Sequence, residues 1–325
     1  WGAAFDEFRN VLARLLKGRA EQFCPQTNLS SALGKILHSL PRKAGREVIV
    51  LSENDFPSIG FVAQQAESLG YRLRWLPARV DQSEPRVWFD ALDDSVQWLV
   101  LTHVQSNTGI QVPVAPILTR ARELGILSVV DVAQSVGILP IDLEELAPDF
   151  LIGSCVKWLC GGPGAGFLWV NEELLSQCEP RDVGWFSHAN PFAFDIHDFK
   201  YHADARRFWG GTPSVAPFIV ATYAIRQLLQ IGIEEIRAHN LKLSRRIIDA
   251  LPAGALFSPA NDDKRSGTVI IDYGAKQAQF VVELEKRQIR FDRRVFGVRL
   301  SPHISNTDAE IEKVLEAMSR AACTI

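Results

Sequence analysis

Short apolar, β-branched runs recur through the first two-thirds of the chain, at 47–51, 72–76, 97–102, 127–131, 149–153 and 166–170. Several are apolar throughout rather than alternating, the pattern of strands buried on both faces. Between them, 59–69 and 114–124 repeat apolar residues at helical spacing, and a further helical pattern covers 29–40. Strands that alternate with helices predict a mainly parallel sheet covered by helices on both sides. The character changes after residue 170. Residues 171–213 are rich in Pro, Gly, His and aromatics without a period, which predicts a long functional connection too aromatic to stay solvated. Helical patterns follow at 214–231 and 233–251, the second closed by Pro252 and Gly254. Strands are expected at 267–273 and 297–300 around a helix at 276–287, and a last helix at 308–322 starts on Thr307 or Asp308. The expected organisation is a large α/β domain over 1–213 and a small C-terminal α/β domain over 214–325.

Composition narrows the picture. Hydrophobic residues make up 47% and charged residues 22%, enough apolar material for a sizeable core. A net charge of −3 gives no broad basic surface, so neither nucleic acid nor a membrane surface is an expected partner. No apolar run approaches the roughly 20 residues of a membrane-spanning helix. The five cysteines, Cys24, Cys155, Cys160, Cys178 and Cys323, follow neither a metal-binding spacing nor a disulfide framework. That usage fits a reducing compartment, and a cytoplasmic location is expected.

In parallel α/β sheets ligands collect beyond the carboxyl ends of the strands. Four such ends are polar: Ser52 to Ser58, Thr102 to Gly109, Asp131 to Ser135, and Ser154 to Trp158. Asp131 ends one strand, and Lys157 follows the next, before the run Gly161-Gly162-Pro163-Gly164-Ala165-Gly166. That run lacks the spacing of a phosphate-binding P-loop or a dinucleotide fingerprint. Alone, Asp131 is as well explained by a turn and Lys157 by a surface group. Together, a lysine in apolar surroundings supplies a nucleophilic amine, and an aspartate supplies an anion for a protonated ring nitrogen. Pyridoxal phosphate chemistry needs that combination.

The segments Ser106-Asn107-Thr108-Gly109, Asp131-Val132-Ala133-Gln134, Ser154-Cys155-Val156-Lys157, Phe208 to Pro213 and Arg299-Leu300-Ser301-Pro302-His303 together resemble the class V aminotransferase family of fold-type I enzymes. Glu53 to Ser58 and Val183 to His188 are most similar to its kynureninase-like branch. The resemblance runs from Gln22 to Ala322 and implies pyridoxal 5′-phosphate, an amino-acid substrate and a homodimer with shared active sites. Lys157 would form the Schiff base and Asp131 would pair with the pyridine nitrogen. Gln134 would donate to the phenolic oxygen, with Asn107 and Thr102 beside the ring. Phe56 would stack on the ring face or belong to the core. Gln26 and Thr27, ahead of a helix start, would cradle the phosphate with Ser154, or serve as an ordinary helix cap. Gly211 and Thr212 would reach the phosphate of the neighbouring subunit. Arg299 would clamp the substrate carboxylate, with Arg293 and Arg294 as neighbours, and Trp185 would wall the substrate pocket or sit in the core. No histidine is assigned to catalysis, and no metal is expected.

The sequence departs from kynureninases at three places: Val156 stands where they carry Tyr, Gln134 where they carry His, and Thr212 where they carry Asn. The stretch 293–298 has no cysteine, which the desulfurase branch requires there. Amino transfer, hydrolysis, elimination and epimerisation therefore remain open, with a non-catalytic descendant as the alternative to an enzyme. Relatives would carry several dozen further residues before Trp1.

Overall fold

The computed structural model describes residues 2–323. Seven strands form the main sheet: β1 (Phe23–Gln26), β2 (Val48–Ser52), β3 (Arg72–Leu76), β4 (Val96–Thr102), β5 (Leu127–Asp131), β6 (Phe150–Ser154) and β7 (Gly166–Val170). Their order is β1-β7-β6-β5-β4-β2-β3. The block from β3 to β6 is parallel, while β7 runs against both β6 and β1. Most of these strands are buried along their whole length, as their unbroken apolar runs require.

The helices of this part are α1 (Gly2–Leu16), α2 (Leu29–Leu37), α3 (Pro57–Gln65), α4 (Pro85–Phe89), α5 (Val114–Glu123), α6 (Leu143–Leu146), α7 (Glu172–Leu175), α8 (Ala216–Ile231) and α9 (Ile233–Asp249). The sequence reading assigns no helix before Gln22. Yet α1 carries Phe5, Phe8, Val11, Leu12 and Leu15 on one buried face. Its Phe5 and Phe8 meet Phe218 of α8 edge-on, at 5.4 and 5.0 Å between ring centres. Burying such a ring contributes about 1.5–3 kcal/mol. Through Phe218, Ala221 and Ile225, α8 joins the first core, although it lies beyond the boundary expected at 213/214.

A second core starts at Leu243 and Ile247 of α9. It lies between the small sheet β8 (Val269–Ile271), β9 (Asp292–Arg294) and β10 (Gly297–Leu300) and the helices α10 (Gln277–Lys286) and α11 (Asp308–Cys323). The order is β8-β10-β9, with both pairings antiparallel. The strand expected over 267–273 is shorter, and β9 has no counterpart in the sequence reading. Residues 176–204 hold a single 3₁₀ turn, Trp185–Ser187, in keeping with their lack of period. Among the described residues no single helix is long and apolar enough to cross a membrane.

The two parts meet along one seam. Gln111 N donates to Lys264 O and Ser266 N to Gly109 O, each at 2.9 Å. Arg299 Nη1 donates to Ser106 O at 3.2 Å. The small sheet is thus tied to the loop that follows β4.

Gly153 faces Phe167 across the β6–β7 pairing, and a Cβ there would run into the Phe167 ring. Gly153→Ala is expected to destabilise the fold by about 1–3 kcal/mol. Urea denaturation checks this as a lower midpoint with an unchanged slope; a wild-type midpoint would contradict the packing described.

Candidate functional site

The strand order lines up the polar ends named above. Thr102 pairs with Asp131 across β4–β5, Asp131 with Ile152 across β5–β6, and Gly166 of β7 with both Ser154 and Gln26. Gln26, Ser154, Asp131, Thr102 and the loop after β2 therefore edge one side of the sheet.

Asp131 is 4% exposed. Its Oδ1 accepts from Ala133 N at 2.8 Å, and its other oxygen has no hydrogen bond among the described residues. Burial pushes this carboxyl up, while the Ala133 amide and the Lys157 charge oppose the rise. Lys157 sits on a tight turn, with Cys160 N on its carbonyl at 2.9 Å and Gly161 N on Cys155 O at 2.7 Å. Gly162 and Gly164 take positive φ, which accounts for the glycine-rich run as turn geometry. The Lys157 amine makes no hydrogen bond or ion pair among the described residues. Burial pulls it down, Asp131 opposes this, and Arg299 and Arg294 add to the fall.

Phe56 caps α3 and is 43% exposed, with its ring 5.6 Å from Lys157 Nζ. That exposure separates it from the core. Gln134 is buried and Asn107 half-buried, and neither side chain has a hydrogen-bond partner among the described residues.

On the far side, Asn28 caps α2 by accepting from Ser31 N at 2.9 Å, and Thr27 Oγ donates to Ser31 Oγ at 3.3 Å. The first amides of a helix lack internal acceptors and attract anions. Gln26, Thr27, Ser31 and Lys35 line a cavity of about 240 Å³ with Gly211 and Thr212 of the same chain. Gln26 itself is spent on Phe208 O at 3.0 Å, and Lys35 on the Phe208 and Trp209 carbonyls. Trp185 is half-buried, donates from Nε1 to Thr212 Oγ at 3.2 Å, and stacks with Phe194. It belongs to an exposed aromatic cluster with Phe192 and Phe194 rather than to the core.

Arg299 lies on β10 and donates from Nη2 to Asp292 at 2.6 Å. Burial lowers its ordinarily high value, and Arg294 adds to this. Of the three histidines considered, His103 bonds Ser135 and is held neutral by burial, down to about 4. His188 bonds the Asn190 and Asp198 carbonyls. His303 accepts from Ile304 N, so its other nitrogen donates to Trp158 O at 3.0 Å. Burial pushes the Cys155 thiol up to about 12, so it is no thiolate. No cluster of His, Cys, Asp and Glu suited to a metal exists among the described residues.

Sequence reasoning missed Asp55. It is 9% exposed, its Oδ2 accepts from Ser52 N at 2.9 Å, and its Oδ1 is buried without a hydrogen bond beside the Thr102 hydroxyl. Its position in a polar loop gives no hint of this burial. Desolvation pushes it up to about 7; Thr102 and the Ser52 amide oppose this, and Asp131 adds to it.

The donors present fit a phosphorylated pyridine aldehyde: a free amine, an anion with an open oxygen, an exposed aromatic ring, and hydroxyls at a helix start. A family model described as aminotransferase class-V matches residues 2–314. The uncharacterized aminotransferase YcbU of Bacillus subtilis is 28% identical over 96% of this chain and 82% of its own length. A kynureninase of Pseudomonas fluorescens is 25% identical over 94% of this chain and 73% of its own. The structure of the cystine C-S lyase C-DES with its reaction product cysteine persulfide superposes with a TM-score of 0.86. It is 21% identical and covers 98% of this chain and 86% of that one, so it speaks for the fold alone. The expected fold-type I architecture is met.

Asp55 yields a pH prediction. Its folded value of about 7 lies above the unfolded 3.8, so the native state favours the protonated form. The cost of ionising it is absent at low pH, grows as pH rises from about 4 to 7, and is complete above. Asp55→Asn removes that cost. Denaturant unfolding of the cofactor-free protein should show the variant gaining up to about 4 kcal/mol relative to wild type between pH 4 and 8. A difference that does not change with pH would contradict the burial assigned to Asp55.

Proposed function

The chain belongs to the class-V aminotransferase family, whose cofactor is pyridoxal 5′-phosphate, and from this premise we propose that it acts on an α-amino acid through that cofactor held at Lys157. The reaction is aminotransferase-like or kynureninase-like. The observation that carries the reading is the Lys157 amine itself: partly buried, without a hydrogen bond or ion pair among the described residues, 5.6 Å from the Phe56 ring, and lowered by burial with Asp131 opposing and Arg299 and Arg294 adding to the fall.

When bound, the cofactor supplies an electron sink for a bond broken at the substrate α-carbon. The chain's own groups do the rest. Asp131 keeps a proton in place at the atom opposite its free oxygen, because a buried carboxylate without a cation is costly. Lys157, pulled down by burial and the two arginines, serves as the base that takes and returns a proton. Thr27, Ser31, Ser154 and the start of α2 hold the phosphate. Gln134 and Asn107, both without side-chain hydrogen bonds among the described residues, have amides to spare for the ring's oxygen. Phe56 covers one ring face and excludes water from it. Arg299 receives the substrate carboxylate.

The same reading makes the enzyme a homodimer with shared active sites, in which the Gly211–Thr212 loop reaches the phosphate of the neighbouring subunit and Trp185 walls the substrate pocket. The exposed rings of Phe192 and Phe194 beside that loop support it. A cytoplasmic location is in keeping with the unpaired Cys24, Cys155, Cys160 and Cys178.

Two measurements test this proposal. Lys157→Ala should abolish the visible absorbance that wild type gains with pyridoxal 5′-phosphate and lower kcat by about 10²–10⁴-fold. Product analysis over a panel of amino acids and kynurenine should then show either amino transfer that requires a keto acid, or alanine release from kynurenine without one. A Lys157→Ala variant that keeps absorbance and turnover would overturn the assignment.

A further inference from the structure

The hairpin β9–β10 holds more than the carboxylate arginine. In antiparallel register, Arg299 lies opposite Asp292 and Gly297 opposite Arg294. Residues two apart on a strand share a face, so Asp292, Arg294 and Arg299 lie together, and Arg293 points the other way. Arg293 indeed reaches Glu285, at 3.7 Å and well exposed. On the shared face a single oxygen, Asp292 Oδ2, accepts from Arg299 Nη2 at 2.6 Å and from Arg294 Nη2 at 2.7 Å. Two guanidiniums thus share one carboxylate, and the cluster keeps a net positive charge.

Their surroundings differ. The Arg299 side chain is 13% exposed and that of Arg294 24%, while Asp292 is 47% exposed. Both arginine Nε atoms are buried without a hydrogen bond, so neither fork has its full set of acceptors. Both arginines act on the Lys157 amine. The carboxylate that holds both cations is the part of the cluster most open to solvent. Arg299 Nη1 is fixed on Ser106 O, which leaves the group on Asp292 as the one that can change partner.

We propose that Asp292 is a specificity-determining residue that occupies the carboxylate-binding fork of Arg299 in the empty enzyme, and that a substrate carboxylate binds by taking its place while Asp292 stays with Arg294. This inference rests on the reading of Arg299 as the carboxylate clamp. Asp292 is half-exposed, so water can solvate its carboxylate when a substrate carboxylate takes its place on Arg299. A bidentate substrate carboxylate makes the stronger contact. Binding therefore asks for an anion able to outcompete an internal one, which selects carboxylates over neutral amines. Arg294 keeps the displaced Asp292 from standing as an unpaired charge next to the site.

The test titrates the holoenzyme with propionate, a carboxylate that cannot react, and follows the cofactor's visible band. Asp292→Asn should tighten propionate binding roughly three- to tenfold by weakening the internal competitor, and Asp292→Ala should do the same. The pH midpoint of the visible band should fall in both variants, because the charges of Arg294 and Arg299 on Lys157 are then less balanced. Arg299→Met should weaken propionate more than tenfold. If Arg299→Met weakens binding but the Asp292 variants bind no tighter than wild type, Asp292 merely orients Arg299 and the displacement proposal is wrong. If Arg299→Met leaves binding unchanged, the reading of Arg299 itself fails, and this inference with it.

Discussion

A buried carboxylate at the end of a buried strand is the constraint on which this site depends. Asp131 has one backbone amide and one nearby cation to offset the loss of water. Neither alone suffices for a group this enclosed. The parallel register of β4, β5 and β6 leaves no freedom over where it points. The same register sets Thr102 beside it, and the turn after β6 delivers Lys157. A cation presented by a ligand ring would complete the arrangement, which makes Asp131 costly in an empty pocket and valuable in a filled one.

The second part of the chain works by electrostatics at a distance. Burial pulls the Lys157 amine down, Asp131 opposes this, and the two arginines that share Asp292 on one small hairpin add to the fall. The hairpin is anchored to the loop after β4 by Arg299 on Ser106, and the segment ahead of β8 by Ser266 on Gly109 and Gln111 on Lys264. His303, three residues beyond β10, stacks on Trp158 at 5.5 Å between ring centres and bonds its carbonyl. The segment that follows Arg299 thus rests directly on the turn that carries Lys157.

Much of this was legible beforehand, for physical reasons. The central strands of the main sheet are apolar on both faces, a pattern visible without any knowledge of their neighbours. Asp131, Thr102, Ser154 and Lys157 could be placed because strand ends in such sheets are where ligands gather. Other features were not legible. The four-residue β1 contains Pro25, so no strand pattern marks it. Helix α1 carries a helical period, Phe5-Phe8-Leu12-Leu15, that the alternation of strands and helices further along does not lead to. Asp55 looks like any loop aspartate, because its burial comes from neighbours distant in sequence. The meeting of Asp292 with Arg299 follows from a hairpin register that spacing along the chain does not reveal. The aromatic character of the stretch around Trp185 is plain in the sequence, but the contact of Trp185 with Thr212 depends on the fold.

The most direct test of the central claim is chemical. Purified chain saturated with pyridoxal 5′-phosphate is reduced with borohydride, digested and read by mass spectrometry. The account predicts a pyridoxyl group on Lys157, and none on Lys35 despite its place in the neighbouring cavity. A label on another lysine, or no label at all, would contradict it.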